Sequence, residues 1–265
     1  MLDQIISYFK NLPHSVRFTI KRLKTTWPLF IALIALCALL LIVFELVVHF
    51  GNLSDVREAR WMLRIISFIV YLCIIFAIYK GYQYYAKDFV LMQSFNLSAT
   101  IPIVVIVILS MVSLTVVTTF ASVLKPINFE TSIIALLFYI VLSAIFINTL
   151  SVTIGLLKLI FRNVDVIFYV CSLINIVILP IVLMPNPNQM LLNHILMLNP
   201  FYYLVNGMSQ SVMFGVTSME NIPYHFYFIF IIVLLLVINF ALARYTTHAI
   251  YKQHTKESTV TESVE

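Results

Sequence analysis

Residues 27–50 read WPLFIALIALCALLLIVFELVVHF, and Glu45 is the only Asp, Glu, Lys or Arg in this run. An α-helix of about 20 apolar residues crosses the hydrocarbon core of a bilayer, which is about 30 Å thick. Trp27 stands at the start of the run, and tryptophan is enriched at the interface between membrane and water. Residues 27–50 therefore predict a membrane-spanning helix.

The rest of the chain has the same character. Apolar residues make up 62% of the 265 positions and charged residues only 10%, whereas a soluble protein carries about 25% charged residues. We therefore predict an all-α integral membrane protein with one six-span domain at 27–247, a cytoplasmic arm at 1–26 and a polar cytoplasmic tail at 248–265. The five further predicted spans are 61–82, 98–122, 131–156, 166–185 and 224–247.

The basic residues predict how this domain is oriented. Twelve of the 16 lysines and arginines fall on the side of the two termini, and positive charge favours the cytoplasmic side. Both termini are therefore expected in the cytoplasm. Because the basic residues flank apolar runs, no nucleic-acid partner is expected. The four on the other side are Arg57, Arg60, Arg64 and Lys125.

The arm at 1–26 has an amphipathic pattern. Its first apolar face is expected to end at Pro13, and a basic stripe follows on Arg17, Lys21 and Lys24. This pattern predicts an amphipathic helix in the cytoplasmic membrane interface. Either a topogenic flank or a gating helix accounts for it.

The predicted outer segment 186–223 is apolar and contains no lysine or arginine, but Asn199-Pro200 interrupts it. Such a segment is expected to fold back into the membrane as re-entrant helices between spans 5 and 6. Asn199 suits the cap and Pro200 the first turn of a helix, which would hold Tyr202 and Tyr203 at interface depth. We interpret these four residues as an outer gate; the alternative is a hydrophobic outer loop that contacts a second copy.

Other polar residues inside the predicted spans have structural explanations. Glu45 and Arg64 lie at similar depths near the outer surface, so we expect a structural ion pair between them. Asn148, Asn175 and Asn239 are expected to form hydrogen bonds between helices.

The sequence lacks the patterns of a catalytic engine. None of its five glycines forms the phosphate-binding Gly-x-x-x-x-Gly-Lys motif, so no ATPase site is expected. Cys37, Cys73 and Cys171 lie in different apolar runs, and the six histidines are scattered, so no metal site is expected either.

Several features between residues 80 and 213 occur together. Residues 159–165 read LIFRNVD, Pro180 lies late in the fifth predicted span, and residues 198–203 read LNPFYY. With the loop at 87–96, they resemble the permease subunit of ABC-2 type exporters, in particular the teichoic acid and O-antigen polysaccharide branch. Where polysaccharide permeases of this branch usually carry an arginine, this chain has Ser209-Gln210-Ser211.

The resemblance implies an ATP-driven exporter of a lipid-linked cell-surface polysaccharide in the bacterial plasma membrane. It implies a homodimeric or pseudodimeric permease bound to a separate ABC ATPase, which would hold the ATP and magnesium. The loops 87–96 and 158–165 would then dock that ATPase through Lys87, Asp88, Phe89, Arg162 and Asp165, with Phe89 inserted into a groove of the partner. Two alternatives are export of a drug, lipid or peptide by the same fold, and a membrane assembly or immunity protein without transport activity.

Overall fold

The computed structural model describes residues 2–51, 54–94, 100–126, 128–184 and 189–262. Within these ranges the chain is helical, with no strand. The helices are α1 (Leu2–Gly51), α2 (Asp55–Ser94), α3 (Ile101–Leu124), α4 (Ile133–Ile160), α5 (Val164–Ile178), α6 (Met190–Met197), α7 (Pro200–Met213) and α8 (Ile222–Glu262), with a 3₁₀ helix at Gly215–Met219 between the last two.

Five of these helices contain segments long and apolar enough to cross a membrane, which confirms an all-α membrane protein. Each segment overlaps a predicted span. The segments are Arg17–Gly51, Asp55–Phe89, Ile101–Leu124, Ile133–Ile160 and Ile222–Thr247.

Helix α5 corresponds to the remaining predicted span, 166–185, but it is shorter than predicted. It has 15 residues and ends at Ile178, so its length is about 22 Å. Leu179 adopts an extended conformation (φ −69°, ψ 163°), as expected for a residue that precedes a proline.

Helices α2 and α4 form the centre of the bundle. In the most apolar 18-residue stretch of each helix, 61% of α2 and 56% of α4 is buried, compared with 17% of α1 and of α8. Helices α3 and α7 pack against both central helices, whereas α1 packs mainly on α3 and α8 on α4. The apolar outer faces of α1 and α8 are exposed, as expected for helices that contact lipid.

The bundle has two distinguishable ends. At one end Arg22 of α1 pairs with Asp88 of α2, and Leu242 of α8 packs against the apolar cluster that contains Phe89. At the other end the Asn128 side chain donates a hydrogen bond to Asp55 (2.8 Å). We call the first the inner end, after the predicted cytoplasmic side, and the second the outer end. The N-terminal part of α1 and the C-terminal part of α8 thus lie at the same end.

Two predicted boundaries are wrong. Helix α1 continues through Pro13 and Pro28, so the arm is one helix with the first span. A proline removes one backbone hydrogen bond and can bend a helix without ending it. Helix α2 likewise continues to Ser94, so 87–94 is helical and not a loop, while residues 95–99 lie outside the described residues.

Candidate functional site

Helix α7 is an enclosed helix that does not span the bundle. Eleven of its 14 residues are buried, and it contacts α2, α3, α4 and α8. Its start follows the sequence prediction, because Pro200 occupies the first turn and the Asn199 side chain accepts a hydrogen bond from the Phe201 N–H (3.0 Å). This cap satisfies one of the free N–H groups at the helix start.

The start of α7 lies near the middle of the bundle. The Phe201 ring packs against Tyr71 and Phe146, with ring centroids 6.0 and 5.2 Å apart. Both partners lie close to the centres of the spanning segments of α2 and α4. Near the other end of α7, the Ser211 carbonyl accepts a hydrogen bond from the Ser132 N–H at the start of α4 (3.0 Å). Helix α7 therefore runs from mid-bundle to the outer end.

A hydrogen bond between two asparagines joins α5 to the start of α7. The Asn199 Nδ2 donates to the Asn175 Oδ1 at 2.8 Å, while the Asn199 Oδ1 forms the helix cap. The predicted interhelical role of Asn175 is thus confirmed, and so is that of Asn239, whose side chain donates to the Thr149 carbonyl (3.0 Å). For Asn148 no such bond is seen among the described residues, and its Oδ1 has no partner.

Tyr202 and Tyr203, predicted to face either the lumen or the lipid headgroups, are both buried (2% and 3% exposed), so neither side chain faces headgroups. The hydroxyl of Tyr203 forms a hydrogen bond with His225, and its ring stacks on Phe228 at 4.8 Å. These contacts attach α7 to α8. Helix α7 is enclosed by spanning helices rather than lying along the membrane surface, which leaves the lumen as the predicted alternative for these side chains.

Two cavities lie on either side of the start of α7. The outer cavity has a volume of about 460 Å³ and includes the side chain of Tyr202 in its wall. The inner groove has a volume of about 210 Å³, is mainly apolar, and reaches from Val164 to Asn175 and Phe201. The hydrogen bond between Asn175 and Asn199 borders the inner groove, because Asn175 forms part of the wall of that groove.

The inner end holds two ion pairs within the described part of the chain. The Arg22 guanidinium pairs with Asp88, with Nη2 and Oδ1 2.9 Å apart, and lies over the Tyr84 ring at 4.4 Å. Lys158 pairs with Asp165 at 3.0 Å. Tyr82 and Gln83 also donate hydrogen bonds to Asp165, at 2.9 and 3.1 Å.

The predicted docking residues are only partly accessible. Asp88 and Phe89 are buried (4% and 7% exposed), so in this arrangement of helices neither side chain is accessible to a docking partner. The reason is that α2 continues as a helix, which turns Asp88 towards Arg22 and packs Phe89 in an apolar cluster with Met92.

The remaining docking candidates are more accessible. Lys87 and Arg162 are exposed, while Asp165 is half-buried within its ion pair. Beside Arg162, Phe161 is 58% exposed at the end of α4, although the sequence analysis did not single it out. Its place in a short loop between two predicted spans was the available signal.

The predicted ion pair between Glu45 and Arg64 is not formed in the described structure. The Arg64 guanidinium lies over the Trp61 ring at 5.0 Å, and the Glu45 Oε2 and Arg64 Nε atoms have no hydrogen-bond partner. Helix α1 packs mainly on α3 rather than α2, so similar depth in neighbouring predicted spans did not bring the two charges together.

No cluster of three or more potential His, Cys, Asp or Glu metal ligands occurs among the described residues. Comparison with protein-family models gives no match, and neither does comparison with curated proteins. The fold therefore supplies the class: a helical, multi-pass membrane protein.

Proposed function

We propose that this chain is the permease subunit of an ATP-driven exporter whose ATPase is a separate chain. The observation that carries the proposal is the placement of α7, a short capped helix. It starts next to Phe146, and its other end lies next to Ser132 at the start of α4. Non-helical backbone at membrane depth, such as Leu198-Asn199, is tolerated where protein encloses it or where it lines a cavity. Such interruptions are typical of transport paths.

In this proposal α5 is the sixth crossing, and α6 and α7 form a re-entrant pair at the outer face. Helix α6 leads inward to the turn at Leu198-Asn199, and α7 leads back outward. Residues 179–184, which follow the end of α5 and include Pro180, add length to this short crossing. The hydrogen bond between Asn175 and Asn199 closes the path between the inner groove and the outer cavity, which gives Asn199 the gating role predicted from the sequence.

The ATPase is proposed to dock at the inner end on the loop that follows α4. Phe161 is an exposed aromatic side chain beside the exposed cation of Arg162, and aromatic residues and arginine are enriched among residues that dominate binding energy. Phe161 takes the anchoring role that the sequence analysis gave to Phe89. Lys87 and Asp165 contribute charge near this loop and orient the partner.

A second copy of the chain is proposed to pack on the outward face of α5. This face is apolar and exposed at Val166, Val170, Leu173 and Val177, which recur at helical spacing. A bifunctional thiol crosslinker applied to native membranes should join two copies through Cys171, which is exposed on α5. The Cys171→Ser variant is the control. A chain that stays monomeric under these conditions contradicts the dimer.

The cargo proposed is a lipid-linked cell-surface polysaccharide, and the membrane is the bacterial plasma membrane with both termini inside. The resemblance of residues 80–213 to ABC-2 permeases supports this choice. Labelling of single cysteines introduced at positions 3 and 260 tests the orientation. An impermeant reagent should reach neither position in intact cells, and labelling of both would reverse the topology.

Purification of the tagged chain from native membranes tests the function. Mass spectrometry should identify an ATPase that carries the phosphate-binding loop absent from this chain. Phe161→Ala combined with Arg162→Glu should remove that ATPase while leaving the chain in the membrane. Tyr245→Ala, which alters an exposed aromatic residue of α8, should retain it. Recovery of the wild-type chain without an ATPase argues against the proposal.

A further inference from the structure

The outer cavity has a polar wall built from two helices. On α7, Tyr202, Asn206 and Gln210 line it at a spacing of four residues, which places them on one face of the helix. On α6, Asn193 and His194 line it as well. The two polar faces thus meet at the same cavity.

Several of these polar side chains have no hydrogen-bond partner among the residues that the structure describes. Asn206 is only 4% exposed, yet no hydrogen bond joins its side chain to any described residue, and the same holds for the side chains of Asn193 and Gln210. Buried polar side chains are normally hydrogen-bonded, so an unpaired carboxamide that lines a cavity indicates a group that is available to bind a ligand. A carboxamide offers both donors and an acceptor, which suits hydroxyl groups.

The cavity also excludes one class of ligand. None of the 11 described residues that line it is Asp, Glu, Lys or Arg, and the ring of its histidine, His194, is already in a hydrogen bond with Tyr224. A phosphate or carboxylate bound there would lose its hydration without gaining a cation, which is unfavourable. The apolar part of the wall, which includes Leu63, Pro180 and Phe214, suits the C–H face of a ring. The volume of about 460 Å³ lies in the range of sites for small ligands.

We infer that the outer cavity is a binding site for an uncharged, hydroxyl-rich sugar unit, held by the carboxamides of Asn193, Asn206 and Gln210. This inference rests on the proposed function, because the sugar is taken to be part of the exported polymer. It also restricts the class of polymer, because the site would select a neutral saccharide over a polymer of polyol phosphates. The cavity lies on the outer side of the Asn175–Asn199 hydrogen bond. It would therefore hold the sugar after the sugar has passed the point that this hydrogen bond closes.

Saturation-transfer NMR on the purified full-length chain in nanodiscs tests the site directly. N-acetyl-D-glucosamine serves as the neutral probe and glycerol 3-phosphate as the anionic probe, with empty nanodiscs as blank. The neutral probe should receive saturation from the protein and the anionic probe should not. Gln210→Leu and Asn206→Leu should each weaken binding about three- to tenfold, the equivalent of one hydrogen bond. Asn221→Leu removes a half-exposed carboxamide that is not among the described residues lining the cavity and should change nothing.

Gln210 is half-exposed, so its variant is expected to fold even where the variant of buried Asn206 does not, and thermal unfolding of both checks this. Equal binding of both probes, absence of binding by the neutral probe, or unchanged binding in a folded Gln210→Leu variant overturns the inference. Sugar binding by a chain that has no ATPase partner keeps the site and removes the exporter. An ATPase partner without sugar binding keeps the exporter and removes the site.

Discussion

Replacing Gly207 with alanine tests whether α7 packs directly against α4. A Cβ atom at Gly207 would lie 2.7 Å from the Cδ1 atom of Tyr139 and closer still to two other carbons of that ring. Ordinary contacts between carbon atoms are about 3.5–4.0 Å long. The Tyr139 ring is held in place because its hydroxyl donates a hydrogen bond to the Ser218 carbonyl (2.7 Å) and its surroundings are fully packed. Either α7 or the ring must therefore move.

The sign of the effect makes the test sharp. In an open helix, glycine to alanine stabilises by about 1 kcal/mol. Overpacking of a filled core destabilises by about 1–3 kcal/mol, so Gly207→Ala should lower the stability of the folded protein. At about 2–4 °C per kcal/mol, its apparent melting temperature in detergent should fall by several degrees.

A second substitution identifies the cause. Tyr139→Leu removes the ring, so the alanine should cost much less in that background, and the two changes should be non-additive. A melting temperature that rises in Gly207→Ala, or additive effects in the double variant, would refute the contact between α7 and α4.

Three further predictions concern individual polar contacts. Asn199→Ala should destabilise the start of α7 by about 1 kcal/mol, seen as faster backbone hydrogen exchange confined to its first turn, and unchanged exchange would contradict the cap. Asp88→Ala should lower stability in thermal unfolding because it leaves the half-buried Arg22 guanidinium without a carboxylate partner, at a cost below the about 3–5 kcal/mol of a fully buried pair, whereas replacing both residues by apolar ones should cost less. Glu45→Gln and Arg64→Met should have additive effects on unfolding, and strong coupling between them would restore the ion pair predicted from the sequence.

Local features of the site were predictable from the sequence. Asn199-Pro200 favours a helix start by local interactions alone, because a side-chain acceptor at the cap and a proline without an N–H in the first turn both suit that position. The apolar runs likewise gave the spanning helices, since length and hydropathy are properties of the chain itself. Pro180 lies near the end of α5 for an equally local reason.

Features that depend on how helices pack were not predictable from one sequence. Asp88 and Phe89 were expected to be exposed, but contacts of the last turns of α2 with α1 and α3 bury them. Glu45 and Arg64 lie at similar predicted depths, but their side chains do not meet because α1 packs mainly on α3 rather than on α2. The polar face on α7 left a trace in the spacing of Asn206 and Gln210, but only the enclosing helices turn that face into a cavity.

ATP hydrolysis by the assembly purified through this chain tests the central claim most directly. Reconstituted in nanodiscs, the wild-type assembly should hydrolyse ATP through the separate ATPase that it carries. The same preparation made with the Phe161→Ala/Arg162→Glu variant should lose that activity, and the one made with Tyr245→Ala should keep it. Absence of ATP hydrolysis from the wild-type assembly, or equal hydrolysis with the docking variant, would contradict the account.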